Sequence, residues 1–437
     1  MNKIQLFISM LFVVLMSRGS FCYAQIVIPL EKLFEMADSN SKQLQPKLTS
    51  EEEIKNVIKT HQSSLSPDIN ISLAVSYLGD GFTTKRDFSD FQIAEIPHLG
   101  NNLAVTITQP IYMGGAITNA IDISKMQLTC ARYATELQKD NIRIQLTGYY
   151  LDMYKYINIK NVIENNILTA EKVLEEIKTR RDQGVAIDND ITRYELLISQ
   201  LRLQLTKTSN IIDILNTNIV TITGLPAGTQ ILPDSTLLTN SFPINTLEWW
   251  QQEAQKNSNL LNIARTEINI NKKNENIARS ELIPKIALQA GYNIDGPILT
   301  EIPPINRNLS YWYIGIGVNY NLSSLYKSNK ALKRTEFTTQ KSKETYDAME
   351  EEIFLSIKSD YTHYLEAYEE LLVNTKSVEL ANKNYNVISG RYSSEMALIT
   401  DMLDAVNEKI KSETELTNAQ INIIYYYYKL LFITGKL

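Results

Sequence analysis

A seven-residue hydrophobic period dominates two long stretches of the chain. Ile142, Tyr149, Tyr156, Ile163, Ala170 and Ile177 recur at that interval, with Leu146, Met153, Ile167 and Leu174 four residues behind and Lys160 as the exception. The second stretch repeats the pattern with Ile357, Tyr364, Leu371, Val378, Tyr385 and Tyr392, supported by Tyr361 and Tyr368. Apolar positions held at 3.5-residue spacing predict helices packed as left-handed coiled coils. The twelve prolines agree, because none falls between Ile111 and Leu225 or after Ile305. A helix over Ala116–Gln183 would be roughly 100 Å long at 1.5 Å per residue. Ordinary globular domains do not contain such helices.

The pattern occurs twice because the chain repeats itself. Arg180-Arg181-Asp182-Gln183-Gly184-Val185-Ala186 with Asp190 aligns with Arg391-Tyr392-Ser393-Ser394-Glu395-Met396-Ala397 with Asp401. Ile222-Thr223-Gly224 aligns with Ile433-Thr434-Gly435 at the same offset of 211 residues, while Pro67 and Pro284 stand 217 apart. Duplication of a large structural half explains these offsets. The halves are expected at 25–224 and 246–437, with Pro226, Pro233 and Pro243 marking a connector over 225–245.

Within each half the period switches from seven to two. Strands are expected at about 68–78 and 103–112, and again at about 285–293 and 311–320. In the first, Ile69, Ile71, Leu73, Val75 and Tyr77 alternate with small or polar residues; in the last, Trp312, Ile314, Ile316, Val318 and Tyr320 do so. The polar faces of these segments carry no charge, unlike a half-buried soluble sheet. An apolar outer face with a small-residue inner face fits a membrane β-barrel, with Tyr77, Tyr292, Trp312 and Tyr320 placed for an interfacial girdle. Ile71, Val105, Leu288 and Ile316 are expected to face lipid. Four strands cannot close a barrel, which needs about eight. An open sheet cannot sit in lipid with unpaired edges, so several copies must share one barrel. The connections Gly79–Asn102 and Asn293–Ser310 are the expected external loops.

Composition narrows the rest. Residues 1–24 read as a signal peptide, with Lys3, a 13-residue apolar core from Ile4 to Met16, and Cys22-Tyr23-Ala24 before Gln25. Phe21 argues against lipidation of Cys22. Cleavage leaves Cys130 alone and moves the net charge from −6 to −8, so neither a disulfide framework nor a basic nucleic-acid surface is implied. No phosphate loop, H-E-x-x-H or G-x-S-x-G motif is present, and no cofactor or metal is expected. His363 with Glu366, Glu51-Glu52-Glu53 and Glu350-Glu351-Glu352 read as solvated helix surface. The chain does not read as an enzyme. A periplasmic coiled-coil adaptor is the rival class, but it would need a soluble β-domain.

Gln109-Pro110-Ile111-Tyr112-Met113-Gly114-Gly115 is similar to the Q-P-[LI]-[FY]-x-G-G strand-to-helix junction of the TolC-like outer membrane efflux proteins. Gly184-Val185-Ala186 with Asp190 resembles their turn between long helices. With the duplicated helix–strand–strand–helix plan, the resemblance covers Gln25–Leu437. The second half departs from the pattern at Asn321-Leu322-Ser323-Ser324 and at Glu395, where the turn glycine would stand. The resemblance implies a mainly α fold with a membrane β-barrel part. It implies a homotrimer in the outer membrane, with a twelve-stranded barrel continuing into a periplasmic α-barrel. It also implies a periplasmic adaptor protein and an inner-membrane pump as partners. The implied activity is passive export of small molecules; an exit duct for type I protein secretion is the alternative. By the same resemblance, Asp401 and Asp404 form an acidic gate. Asp190 and Tyr392 are the candidate gate latch, with Ala397 where some relatives have arginine.

Overall fold

The computed structural model describes residues 25–184, 186–239, 242–394 and 396–437. The expected signal peptide with Cys22, Val185 of the first turn and Glu395 of the second lie outside the described residues. In chain order the elements are β1 (Gln25–Ile28), α1 (Leu30–Asn40), α2 (Gln45–Ser63), β2 (Asp68–Tyr77), β3 (Gly81–Thr83), β4 (Gln92–Ala94) and β5 (Leu99–Tyr112). Then come α3 (Ala116–Asp182), α4 (Asp188–Thr223), β6 (Gln230–Pro233), a 3-10 turn at Ser235–Thr239, α5 (Leu247–Asn257) and α6 (Asn259–Ser280). The chain finishes with β7 (Lys285–Gly296), β8 (Leu309–Asn319), α7 (Ser324–Ser393) and α8 (Ile399–Ile433). It is predominantly helical. Among the described residues no helix is long and apolar enough to cross a membrane.

Two compact units are present, one of them formed by Lys47–Thr135 with Asn259–Glu351. Its centre is a four-stranded antiparallel sheet in the order β2-β5-β7-β8. Paired residues in an antiparallel sheet point to the same side, so the register builds whole rows. Ile71, Val105, Tyr292 and Trp312 form one row, and Ile69, Ile107, Ala290 and Ile314 the next. The opposite face carries Asn70, Thr106, Gly291 and Tyr313, then Ser72, Ala104, Asn293 and Tyr311. Strand β7 runs on to Gly296, which places Asp295 on that polar face, where its carboxylate accepts from the Asn102 amide. The polar face is therefore not free of charge at its loop end, nor at the other end, where Asp68 and Lys285 stand. Pro110 has no N–H to give a neighbour, and it lies beyond Thr108, where pairing with β2 ends. The register shifts at the same place, between Pro110 and Tyr112. Within the connection after β2, β3 and β4 pair as a small hairpin of their own.

The other unit holds the remaining described residues and both large cores. One core gathers Leu33, Leu146, Tyr150, Met153, Ile219 and Tyr428. The second gathers Ile163, Ile177, Tyr194, Leu197, Met402 and Val406. The heptad positions Ile142, Leu146, Met153, Ile163 and Ile177 supply these cores, each at most 1% exposed, and Ile357 and Tyr364 on α7 are buried as completely.

The connector is not an irregular segment. Its strand β6 pairs in parallel with β1, and on its other side the Asn216 amide bonds Thr229 O and Ile231 N at 2.8 and 2.9 Å. A side chain thus stands in for a neighbouring strand. Tyr150 joins both strand ends, donating to Ile28 O at 2.9 Å and accepting from Asp234 N at 2.6 Å. Burial pushes its phenol up to about 12.

Duplication is visible in the packing. Helices α1 and α5 each have 11 residues, end on a serine whose N–H bonds the alanine four back, and bury that alanine completely. Gly224 and Gly435 follow the last helix of each half with φ of 70° and 68°. A Cβ there would lie 2.8 Å from Asn40 Cβ or 2.5 Å from Asn257 O. Only glycine combines positive φ with such close approach.

Candidate functional site: the helix-to-helix turns

Of the four gate candidates, Asp190 and Asp401 stand in the first turns of α4 and α8, Asp404 stands in the second turn of α8, and Tyr392 in the last turn of α7. The side chains of Asp401 and Asp404 are exposed, while Met402, Ala405 and Val406 on the other side of α8 are buried. The i, i+3 spacing puts both carboxylates on one helix face. Asp401 also has a structural role, since its Oδ2 accepts from the Leu398 N–H at 3.0 Å. A carboxylate in the first turn satisfies an orphan donor and suits the positive end of the helix dipole. Asp404 lacks that role and is the cleaner probe of charge.

Tyr392 and Asp190 are half-buried. Burial raises the Tyr392 phenol pKa most, the Asp190 charge raises it further, and Arg180 opposes both. Asp190 is thus close enough for its charge to act on the ring. Arg181 bonds Asp188 within the first turn, while the bonds that reach α7 come from Arg180, which the sequence pattern alone does not single out. Its guanidinium donates to Tyr392 O at 3.0 Å and Ser393 O at 2.6 Å, and its carbon lies 5.5 Å from the Tyr392 ring centre. Those carbonyls end α7, where no further helical N–H is available, and a cation there is favoured by the dipole. Arg180 therefore ties the end of α3 to the end of α7. The signal was present in the aligned Arg180 and Arg391, but only geometry shows which arginine reaches across.

At the strand-to-helix junction, Gln109 Nε2 donates to Leu65 O at 2.8 Å and Pro110 O at 3.0 Å. Gly114 and Gly115 have φ of 62° and 85°. A Cβ on Gly114 would come within 3.0 Å of Ser280, which is fully buried at the end of α6. The second junction makes its turn differently. Asn321 Oδ1 accepts from Ser323 N at 3.1 Å and Ser323 Oγ at 2.7 Å, an Asx turn that needs no glycine.

Among the described residues no group of His, Cys, Asp and Glu is placed to hold a metal ion within one chain. The arrangement offers an exposed acidic face beside a clamped helix end. If that face borders a conduit, the Asp401→Asn, Asp404→Asn double variant should weaken block by multivalent cations and lower cation selectivity in bilayer recordings. Asparagine keeps the acceptor that caps α8, so unchanged block would return both aspartates to the solvated surface.

Residues 250–435 match the family model described as outer membrane efflux protein. No curated protein matches the sequence. Among solved structures, the outer-membrane channel OprN is similar with a TM-score of 0.75 at 14% identity, covering 93% of this chain and 90% of that one. The outer membrane protein VceC of Vibrio cholerae gives 0.75 at 14%, with 93% and 96% covered. CusC, whose structures concern folding and transmembrane channel formation, gives 0.76 at 11%, with 95% of each chain covered. Residues 250–435 thus resemble the outer membrane efflux proteins, within a fold shared along nearly the whole chain with solved outer-membrane channels.

Proposed function

We propose that this protein is the outer-membrane exit channel of a tripartite export system, passing small molecules delivered by an inner-membrane pump through a periplasmic adaptor. The observation that carries this reading is the β2-β5-β7-β8 sheet, whose rows form one apolar face and one mainly polar, small-residue face, with β2 and β8 as its edges. Ile71, Leu73, Val75, Trp312, Ile314 and Ile316 are each 65–74% exposed on the apolar face. So large an apolar surface marks a lipid or protein contact. Lipid demands that the edges be paired, and three copies joining β8 to β2 would close twelve strands.

The long helices support the same assembly. Leu196 with Leu203 on α4, and Leu365 with Leu372 on α7, are exposed apolar pairs at heptad spacing, as a coiled-coil neighbour requires. At the turns, Ile187, Met396 and Leu398 are 62–70% exposed. They offer an apolar ring to an adaptor. The four gate candidates and Arg180 stand beside it, where closing the conduit would control release.

Fractionation tests the reading. The protein should appear in outer-membrane fractions as a heat-modifiable oligomer beginning at Gln25. Recovery as a soluble periplasmic monomer would overturn it in favour of an adaptor or scaffold.

A further inference from the structure

Helix α7 leaves β8 with an unbalanced charge. Between Asn321 and Lys343 stand Lys327, Lys330, Lys333, Arg334, Lys341 and Lys343 against Glu336 alone, in a chain of net charge −6. All six cationic side chains are exposed. Among the described residues none of the six is ion-paired, since Glu336 faces Arg279 at 3.8 Å. Elsewhere, helical lysines commonly take a carboxylate three residues away, as Lys139 takes Glu136, Lys178 takes Glu175 and Lys376 takes Glu379. The segment after β8 forgoes that pairing.

Lys327, Arg334 and Lys341 are seven apart with Lys330 between, so the four share one helix face. Lys327, Lys330 and Arg334 lie within about 15 Å of the helix start at 1.5 Å per residue. Beside them Leu322, Leu325 and Tyr326 are 67%, 51% and 66% exposed. Apolar and aromatic anchors next to unpaired cations, at the end of an apolar-faced strand, are the elements of an interfacial lipid contact.

We infer that this face binds the anionic phospholipid headgroups of the leaflet from which the helices emerge; the inference rests on the sheet spanning the membrane. Charge complementarity favours lipid over a second copy. Helix α2, which leads into the other edge strand β2, carries Lys59 in its last turns. A junction of β8 with a neighbour's β2 would bring Lys59 toward Lys327 and Lys330, like against like, with the single carboxylate of Asp68 against the whole basic face. Headgroup phosphates neutralise both sets. Polybasic segments gain enough per cation near an anionic surface that three such charges are worth roughly 100-fold in affinity.

Native mass spectrometry of the purified full-length oligomer, with phosphatidylglycerol or phosphatidylcholine added, tests this. Phosphatidylglycerol should bind preferentially, more weakly at high salt, and about 100-fold more weakly to the Lys327→Gln, Lys330→Gln, Arg334→Gln variant. Lys327→Arg with Lys330→Arg should preserve binding, as should Lys376→Gln, which removes a paired lysine. Equal binding of the two lipids, or unchanged binding by the triple variant, would overturn the inference. Loss of the oligomer with lipid preference intact would overturn it too, assigning the face to a junction between copies. The channel reading fails separately, if the protein is absent from the outer membrane.

Discussion

Arginine in place of Ile316 should destabilise the assembled protein by roughly 2–4 kcal/mol if the residue lies near the bilayer midplane. Ile316 pairs with Leu288 on the apolar face of the sheet and is 73% exposed. In lipid its replacement by a cation forces either dehydration of the charge or distortion of the bilayer, whereas on a wet surface it would cost little. Gly317, one residue on, points to the other face. A Cβ there would meet only the flexible Gln289 amide at 3.3 Å, so Gly317→Ser should assemble almost normally. Heat-modifiable oligomer yield in membranes reads both. An arginine variant that assembles normally beside a serine variant that does not would invert the two faces.

Loss of Arg180 is the second large effect. Each hydrogen bond from a charged donor is worth about 1.5–3 kcal/mol when well shielded, and less at this half-exposed helix end. Even about 1–2 kcal/mol changes a two-state ratio by roughly 5–30-fold. Arg180→Ala should therefore raise single-channel conductance or open probability markedly. Lysine cannot reproduce the fork that reaches two carbonyls, so Arg180→Lys should fall between. Tyr392→Phe leaves both the backbone acceptors and the ring beside the guanidinium in place and should matter less. An alanine variant gating like wild type would make Arg180 a helix-end cap without a part in the gate.

The helical part of this fold was legible because a coiled coil writes its contacts at fixed spacing. Residues that build the two cores, from Ile142 and Leu146 to Ile163 and Ile177, stand in the sequence at that interval, as do the buried Ile357 and Tyr364. The internal duplication was legible for a related reason, since Gly224 and Gly435 share a positive φ and a close approach to Asn40 and Asn257. Other features depend on tertiary contact and leave little local trace. Strand β6 is held by β1 and by the Asn216 amide, partners that no periodicity announces. Arg180 looks like any basic residue in a last turn until the end of α7 is seen beneath it. The aspartates were legible as a shared face, but the capping bond of Asp401 depends on where α8 begins.

Crosslinking of β8 to β2 between copies reads directly whether one barrel is shared. Cysteines placed one on β2 and one on β8 with their side chains on the same face, in a Cys130→Ser background, would be oxidised in isolated outer membranes. A shared twelve-stranded barrel predicts a covalent ladder of monomer, dimer and trimer that stops at three. A ladder ending at two or four, or no crosslink at any register along the two strands, would contradict it.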